Sequence, residues 1–71
     1  MESLGIFVDQ NNNEVEIFKD AKTEKGTNLL SVSFWDNEKN SYLQPSEYKG
    51  DDISNPTILE REKTQFRKKQ G

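Results

Sequence analysis

The sequence contains neither cysteine nor histidine among its 71 residues. Without cysteine, no disulfide, iron–sulfur cluster or thiol redox chemistry is available. Without histidine as well, the chain lacks the usual zinc and haem ligands and the Ser-His and Cys-His nucleophile pairs. Only carboxylates, hydroxyls, lysine and tyrosine remain as catalytic groups. We therefore expect a protein that is not an enzyme and that uses no cofactor and no metal.

Long hydrophobic runs are also missing. Hydrophobic residues make up 30% of the chain, and the longest uninterrupted apolar run is Ile6–Val8. A membrane-spanning helix needs about 20 apolar residues, and the first ten residues lack the basic and apolar regions of a secretion signal. The sequence predicts a soluble cytoplasmic protein without a membrane partner.

Charge is distributed unevenly along the chain. Residues 1–54 carry five basic and eleven acidic side chains, a net charge of −6, whereas residues 55–71 carry five basic and two acidic side chains, a net charge of +3. Such asymmetry is typical of a folded body with an oppositely charged end segment. We predict an acidic β domain over 1–54 and a basic C-terminal helix or flexible tail over 55–71.

The first part shows the period-two alternation of β-strands. Strands are predicted at residues 4–10 and 14–20, joined by the turn-forming tract Asn11–Asn13. A third strand is predicted around residues 29–35, and a fourth over 41–44, ended by Pro45. The fold class is therefore mainly β: an antiparallel meander of three to four strands, with a small SH3-like or OB-like barrel as its closed form.

Residues 55–71 have a different pattern. Pro56 suits the first position of a helix, and Thr57 with Glu60 fits a capping box. Leu59 and Phe66 are seven residues apart, which places them on one helical face. The pattern predicts a short helix docked by one edge, which would make the fold α+β, or a tail that folds on binding.

Alternation assigns the hydrophobic residues to two faces of the predicted sheet. The core face takes Leu4, Ile6, Val8, Val15, Ile17, Leu30, Val32, Phe34 and Leu43. The second face takes Phe7, Phe18, Leu29, Trp35 and Tyr42. A one-layer sheet normally has a polar second face. We expect this partly aromatic one to be covered by barrel closure, the C-terminal segment, a second copy or a partner.

Two motifs with acidic residues resemble functional sites. Asp51 and Asp52 are adjacent, but neighbouring loop carboxylates are usually solvated rather than paired for catalysis. Asp9, Asn11, Asn13 and Asp20 occupy positions 1, 3, 5 and 12 of a calcium loop. However, Glu14 stands where such a loop requires glycine, and flanking helices are absent. The hairpin-turn interpretation is favoured.

The first functional hypothesis is a protein-binding module that inhibits or modulates a larger, basic, nucleic-acid-handling host protein. Glu14 and Glu16 are about 7 Å apart along a strand, close to the phosphate spacing of DNA, so nucleic-acid mimicry is one version of it. The contact residues expected are Phe7, Glu14, Glu16, Phe18, Trp35 and Tyr42. Asn, Lys, Glu and Ile are each more frequent than Ala and Arg. This bias suggests an AT-rich coding sequence, hence a phage or mobile element and a host-cell cytoplasm.

Two alternatives belong to other classes. A single-stranded nucleic-acid-binding module would stack bases on aromatic side chains beside basic ones. Its expected residues are Lys22, Lys25, Trp35, Tyr42, Arg61, Arg67, Lys68 and Lys69. A self-assembling structural subunit would form a homo-oligomer through the aromatic face and the fourth strand.

Overall fold

The computed structural model describes the backbone of residues 1–23 and 28–70, and the side chains of residues 1–20 and 28–70. These residues form seven β-strands and one 3₁₀ helix, and the described part contains no α-helix. The elements are β1 (Glu2–Val8), β2 (Glu14–Thr23), β3 (Leu29–Asp36), β4 (Ser41–Tyr42), β5 (Ser46–Lys49), the 3₁₀ helix (Gly50–Ile53), β6 (Ile58–Arg61) and β7 (Thr64–Lys68). The prediction of a mainly β fold is confirmed.

All strand pairings are antiparallel, and the sheet curls into a half-barrel. The strand order is β4-β3-β2-β1-β7-β6, and β5 pairs with β3 on the same edge as β4. Side chains connect the two ends of the curled sheet. Arg61 on β6 donates to the Gln44 carbonyl (Nη2 to O, 2.6 Å), and its guanidinium lies 5.8 Å from the ring centroid of Phe34.

A bulge in β1 reverses part of the predicted assignment of faces. The register with β2 shifts between Ser3 and Gly5, and Gly5 has a φ of 106°. One extra residue in a strand turns every following side chain to the opposite face. Leu4 still packs against the core, but beyond the bulge Phe7 is buried in it. Ile6 and Val8, predicted to be core, lie on the other face, opposite Glu16 and Glu14.

The predicted C-terminal helix is wrong, because residues 58–68 form the β6–β7 hairpin. Leu59 pairs directly with Phe66, and Arg61 with Thr64, around a two-residue turn in which Glu62 has a φ of 58°. A spacing of seven residues suits one face of a helix, but it also suits two cross-strand partners around such a turn. Both Leu59 and Phe66 are buried in the core, and the hairpin is the arrangement that buries them.

One core unites the two predicted parts of the chain. β7 pairs with β1 at Phe7 and Val8, and the Phe66 ring lies 5.3 Å from that of Phe34. The buried hydrophobic residues are Phe7, Val15, Ile17, Val32, Phe34, Ile53, Leu59 and Phe66. Residues 55–70 therefore complete the β fold rather than extend from it.

Aspartate side chains hold two of the turns. Asp9 Oδ1 accepts hydrogen bonds from the backbone N–H groups of Asn11 (2.8 Å) and Asn13 (3.0 Å), and Asn12 has a φ of 63°. The hairpin-turn interpretation of this tract is confirmed. Asp36 caps the β3–β4 turn in the same way through the N–H of Glu38.

Candidate functional site

The sheet surface opposite the core, here called the outer face, carries the predicted contact residues of β2, β3 and β4. Strand register places Glu16 beside Trp35, and Trp35 beside Tyr42, in one row across the three strands. Ile6 on β1 extends the row on the other side of Glu16. Since directly opposed residues share a face, these four side chains form a continuous strip.

Phe18, Trp35 and Tyr42 form an aromatic cluster on this face. The ring centroids of Trp35 and Tyr42 are 4.7 Å apart at an interplanar angle of 69°, and those of Phe18 and Tyr42 are 6.4 Å apart at 65°. Both pairs are edge-to-face, the arrangement that aromatic quadrupoles favour. Tyr42 remains 53% exposed on the short strand β4. Phe18 and Trp35 are half-buried.

The two glutamates of β2 share this face but differ in their partners. Glu14 forms an ion pair with Lys69. Glu16 accepts a hydrogen bond from the Ser3 hydroxyl (2.7 Å between the oxygens), and among the described residues no basic group lies within ion-pair distance of it. Of these two glutamates, Glu14 is therefore compensated by Lys69, whereas Glu16 is not compensated by any described basic residue.

Phe7 does not belong to this surface. Its side chain is fully buried in the core, because the bulge at Gly5 turns it inward. The expectation that it contacts a partner is corrected, and Ile6 takes its place beside Glu16. Glycine inside a strand pattern commonly marks a bulge, so Gly5 was the sequence signal for this change.

The basic residues predicted to bind nucleic acid do not form one surface in the described part of the chain. Arg61 joins the ends of the sheet through the Gln44 carbonyl. The side chains of Lys22 and Lys25 lie outside the described residues. The other three basic residues come together around a groove of about 580 Å³, lined by Thr57, Ile58, Arg67, Lys68, Lys69 and Gln70. Among the described residues, the predicted basic contacts are therefore divided between this groove and the link that Arg61 forms with Gln44.

Asp51 and Asp52 are both exposed in the 3₁₀ helix. The described residues contain no cluster of three or more carboxylates positioned to hold a metal ion. They also contain no helix of the length and apolarity needed to cross a membrane.

Comparison of the chain with protein-family models, curated proteins and solved structures finds no match. The geometry of the outer face and of the basic groove is therefore the basis for a functional proposal.

Proposed function

We propose that this chain is a non-catalytic protein-binding module that docks on a partner protein through its outer face. The observation that carries the proposal is the aromatic cluster on the solvent side of a one-layer sheet. Tyrosine and tryptophan are enriched among the residues that dominate binding energy at protein interfaces. Their rings bury a large area while losing few side-chain rotamers.

Charge favours a partner with a basic surface. The chain has a net charge of −3, and Glu16 lies within the outer face without a cationic partner among the described side chains. Complementary charge steers association and fixes the register of the complex. Binding by a small acidic module fits inhibition or modulation of a larger protein in the cytoplasm. Because Glu14 is already paired with Lys69, we favour docking by aromatic contact over imitation of a phosphate backbone.

Selection from a displayed library of random peptides tests this proposal. Peptides that bind the native chain are measured again on Tyr42→Ser and Ile58→Ser. Tyr42 and Ile58 are similarly exposed, at 53% and 49%, but they lie on β4 and β6, at opposite ends of the strand order. We expect most selected peptides to bind Tyr42→Ser at least tenfold more weakly than the native chain. The reason is that a hot-spot residue contributes about 2 kcal/mol or more. The affinity for Ile58→Ser should change little. Equal losses on both variants, or none on either, would contradict the proposal.

The basic groove favours a second candidate, binding of a single-stranded nucleic acid. Arg67, Lys68 and Lys69 around one groove are suited to phosphate contacts. The pairing of Lys69 with Glu14 opposes such contacts, so this function ranks second. Titration of a single-stranded oligonucleotide at about 50 and 200 mM salt, followed by Trp35 fluorescence, distinguishes it. Binding that weakens steeply with salt and is lost in Arg67→Gln/Lys68→Gln would move this candidate ahead.

A further inference from the structure

We propose that Glu16, Trp35 and Tyr42 form a receptor for one cationic side chain of the docking partner, an arginine in particular. The inference rests on the proposed docking function and specifies the chemistry of the partner. The three residues stand side by side in one row across β2, β3 and β4. Glu16 therefore stands directly beside Trp35, and Trp35 directly beside Tyr42, on the surface assigned to docking.

The carboxylate of Glu16 is positioned for this role but not yet neutralised. Its Oε2 is held by the Ser3 hydroxyl at 2.7 Å, which fixes the side chain while leaving the negative charge in place. Glu14, two residues away on the same face, pairs with Lys69. A cation brought by a partner would therefore meet an oriented, uncompensated carboxylate at Glu16 and a compensated one at Glu14.

The aromatic pair supplies the second half of the receptor. Trp35 and Tyr42 pack edge-to-face at 69°, so their ring faces point in different directions, and Tyr42 is more than half exposed. A guanidinium over such a ring face is attracted by its quadrupole. A partner that covers the sheet would also exclude water, which strengthens the attraction to Glu16.

Arginine is favoured over lysine because of the geometry of its head group. The guanidinium is planar, stacks on aromatic rings and offers several donors to a carboxylate at the same time. It is also less strongly hydrated than an ammonium group, so burying it in an interface is less costly. The row on the outer face offers both an acceptor and adjacent rings.

N-acetylated hexa-arginine amide is a direct probe of the receptor, with N-acetylated hexa-citrulline amide as its uncharged analogue. Trp35 is the only tryptophan, so its fluorescence reports binding at the site. We expect hexa-arginine to change the emission in a saturable way and hexa-citrulline to leave it unchanged. An equal response to both peptides would overturn the proposal.

Glu16→Gln and Glu47→Gln separate a local receptor from general attraction to an acidic protein. Both variants remove one negative charge, but Glu47 lies on β5 opposite Ser31, four residues along β3 from Trp35. Glutamine can still accept from Ser3, so the fold is retained in Glu16→Gln. We expect hexa-arginine to bind Glu16→Gln at least fivefold more weakly and Glu47→Gln less than twofold more weakly. Equal weakening would show that net charge alone is responsible and would overturn the receptor.

The peptide library distinguishes failure of this inference from failure of the proposed function. One outcome is a set of selected peptides that need Tyr42, contain no arginine and bind Glu16→Gln as tightly as the native chain. This outcome would support the docking function and contradict the arginine receptor. Arginine-containing peptides that need both Tyr42 and Glu16 would support both proposals. Peptides that need neither residue would contradict both.

Discussion

The Tyr48 hydroxyl donates a hydrogen bond to the backbone carbonyl of Glu60, with 2.9 Å between the oxygens. Tyr48 lies on β5 and Glu60 on β6, two strands that the order of the sheet leaves unpaired with each other. The Tyr48 ring also packs against Phe34, with centroids 6.4 Å apart. This side chain therefore links the two ends of the half-barrel.

Replacing Tyr48 by phenylalanine tests the strength of this link. The ring contact with Phe34 is kept and the hydrogen bond is lost, so we expect the free energy of unfolding to fall by about 0.5–1.5 kcal/mol. Urea unfolding followed by circular dichroism measures it. Tyr42→Phe is the matched control, because Tyr42 is exposed on β4, and it should change stability by less than about 0.5 kcal/mol.

The same tyrosine predicts a dependence of stability on alkaline pH. Burial raises the pKa of Tyr48 above its usual value of 10.0, and this outweighs the opposing effect of the nearby Arg61 guanidinium. The folded state therefore favours the neutral phenol. Its contribution to stability is fully present below the unfolded pKa and is lost as pH rises through the higher folded pKa. The stability difference between the native chain and Tyr48→Phe should shrink from about pH 9 to pH 11. A constant difference would contradict this account.

Phe66→Ala tests whether residues 55–70 belong to the core. Phe66 is 4% exposed and contacts Phe34, and truncating a buried phenylalanine costs about 3–5 kcal/mol. A domain of this size has only about 3–5 kcal/mol of stability, so the variant should be largely unfolded by circular dichroism. Ile58→Ala, half-exposed on the other face of the same hairpin, should remain folded. A folded Phe66→Ala would indicate that the C-terminal hairpin is dispensable.

Gly5→Ala tests the β1 bulge. At a φ of 106° any side chain strains the backbone, and we expect a loss of about 1–2 kcal/mol in the free energy of unfolding. The added Cβ would lie 3.4 Å from Lys68 Cε, an ordinary contact. Lys68→Ala combined with Gly5→Ala should therefore not restore stability. Restoration in the double variant would assign the cost to crowding rather than to backbone strain.

Glu62→Gly tests the turn between β6 and β7. Glu62 has a φ of 58°, a conformation that glycine adopts without the strain of a Cβ. Its ion pair with Arg61, at 3.8 Å on the surface, contributes little. We expect Glu62→Gly to raise the free energy of unfolding by about 0.5–1 kcal/mol, measured by urea unfolding. Lys63→Gly, at the neighbouring turn position, should not stabilise the chain.

The face of the sheet on which the candidate site lies could be predicted from the sequence. Alternation alone placed Phe18, Trp35 and Tyr42 on the face opposite the core, because β2 and β3 run through this region without interruption. Alternation also placed Glu14 and Glu16 on one face. The difference between the two carboxylates could not be predicted, since the partner of Glu14 is Lys69, 55 residues away in the chain.

The sequence by itself determined the β class and its first hairpin. When apolar residues alternate with polar ones, only a strand places all the apolar side chains on one face. The asparagine tract after Asp9 tolerates the left-handed conformation observed at Asn12. Tertiary structure decided the face of Phe7 and the conformation of residues 58–68. A single bulge inverts a strand, and the spacing of Leu59 and Phe66 fits either a helix or a hairpin. Only packing on Phe34, together with pairing of β7 with β1, distinguishes the two.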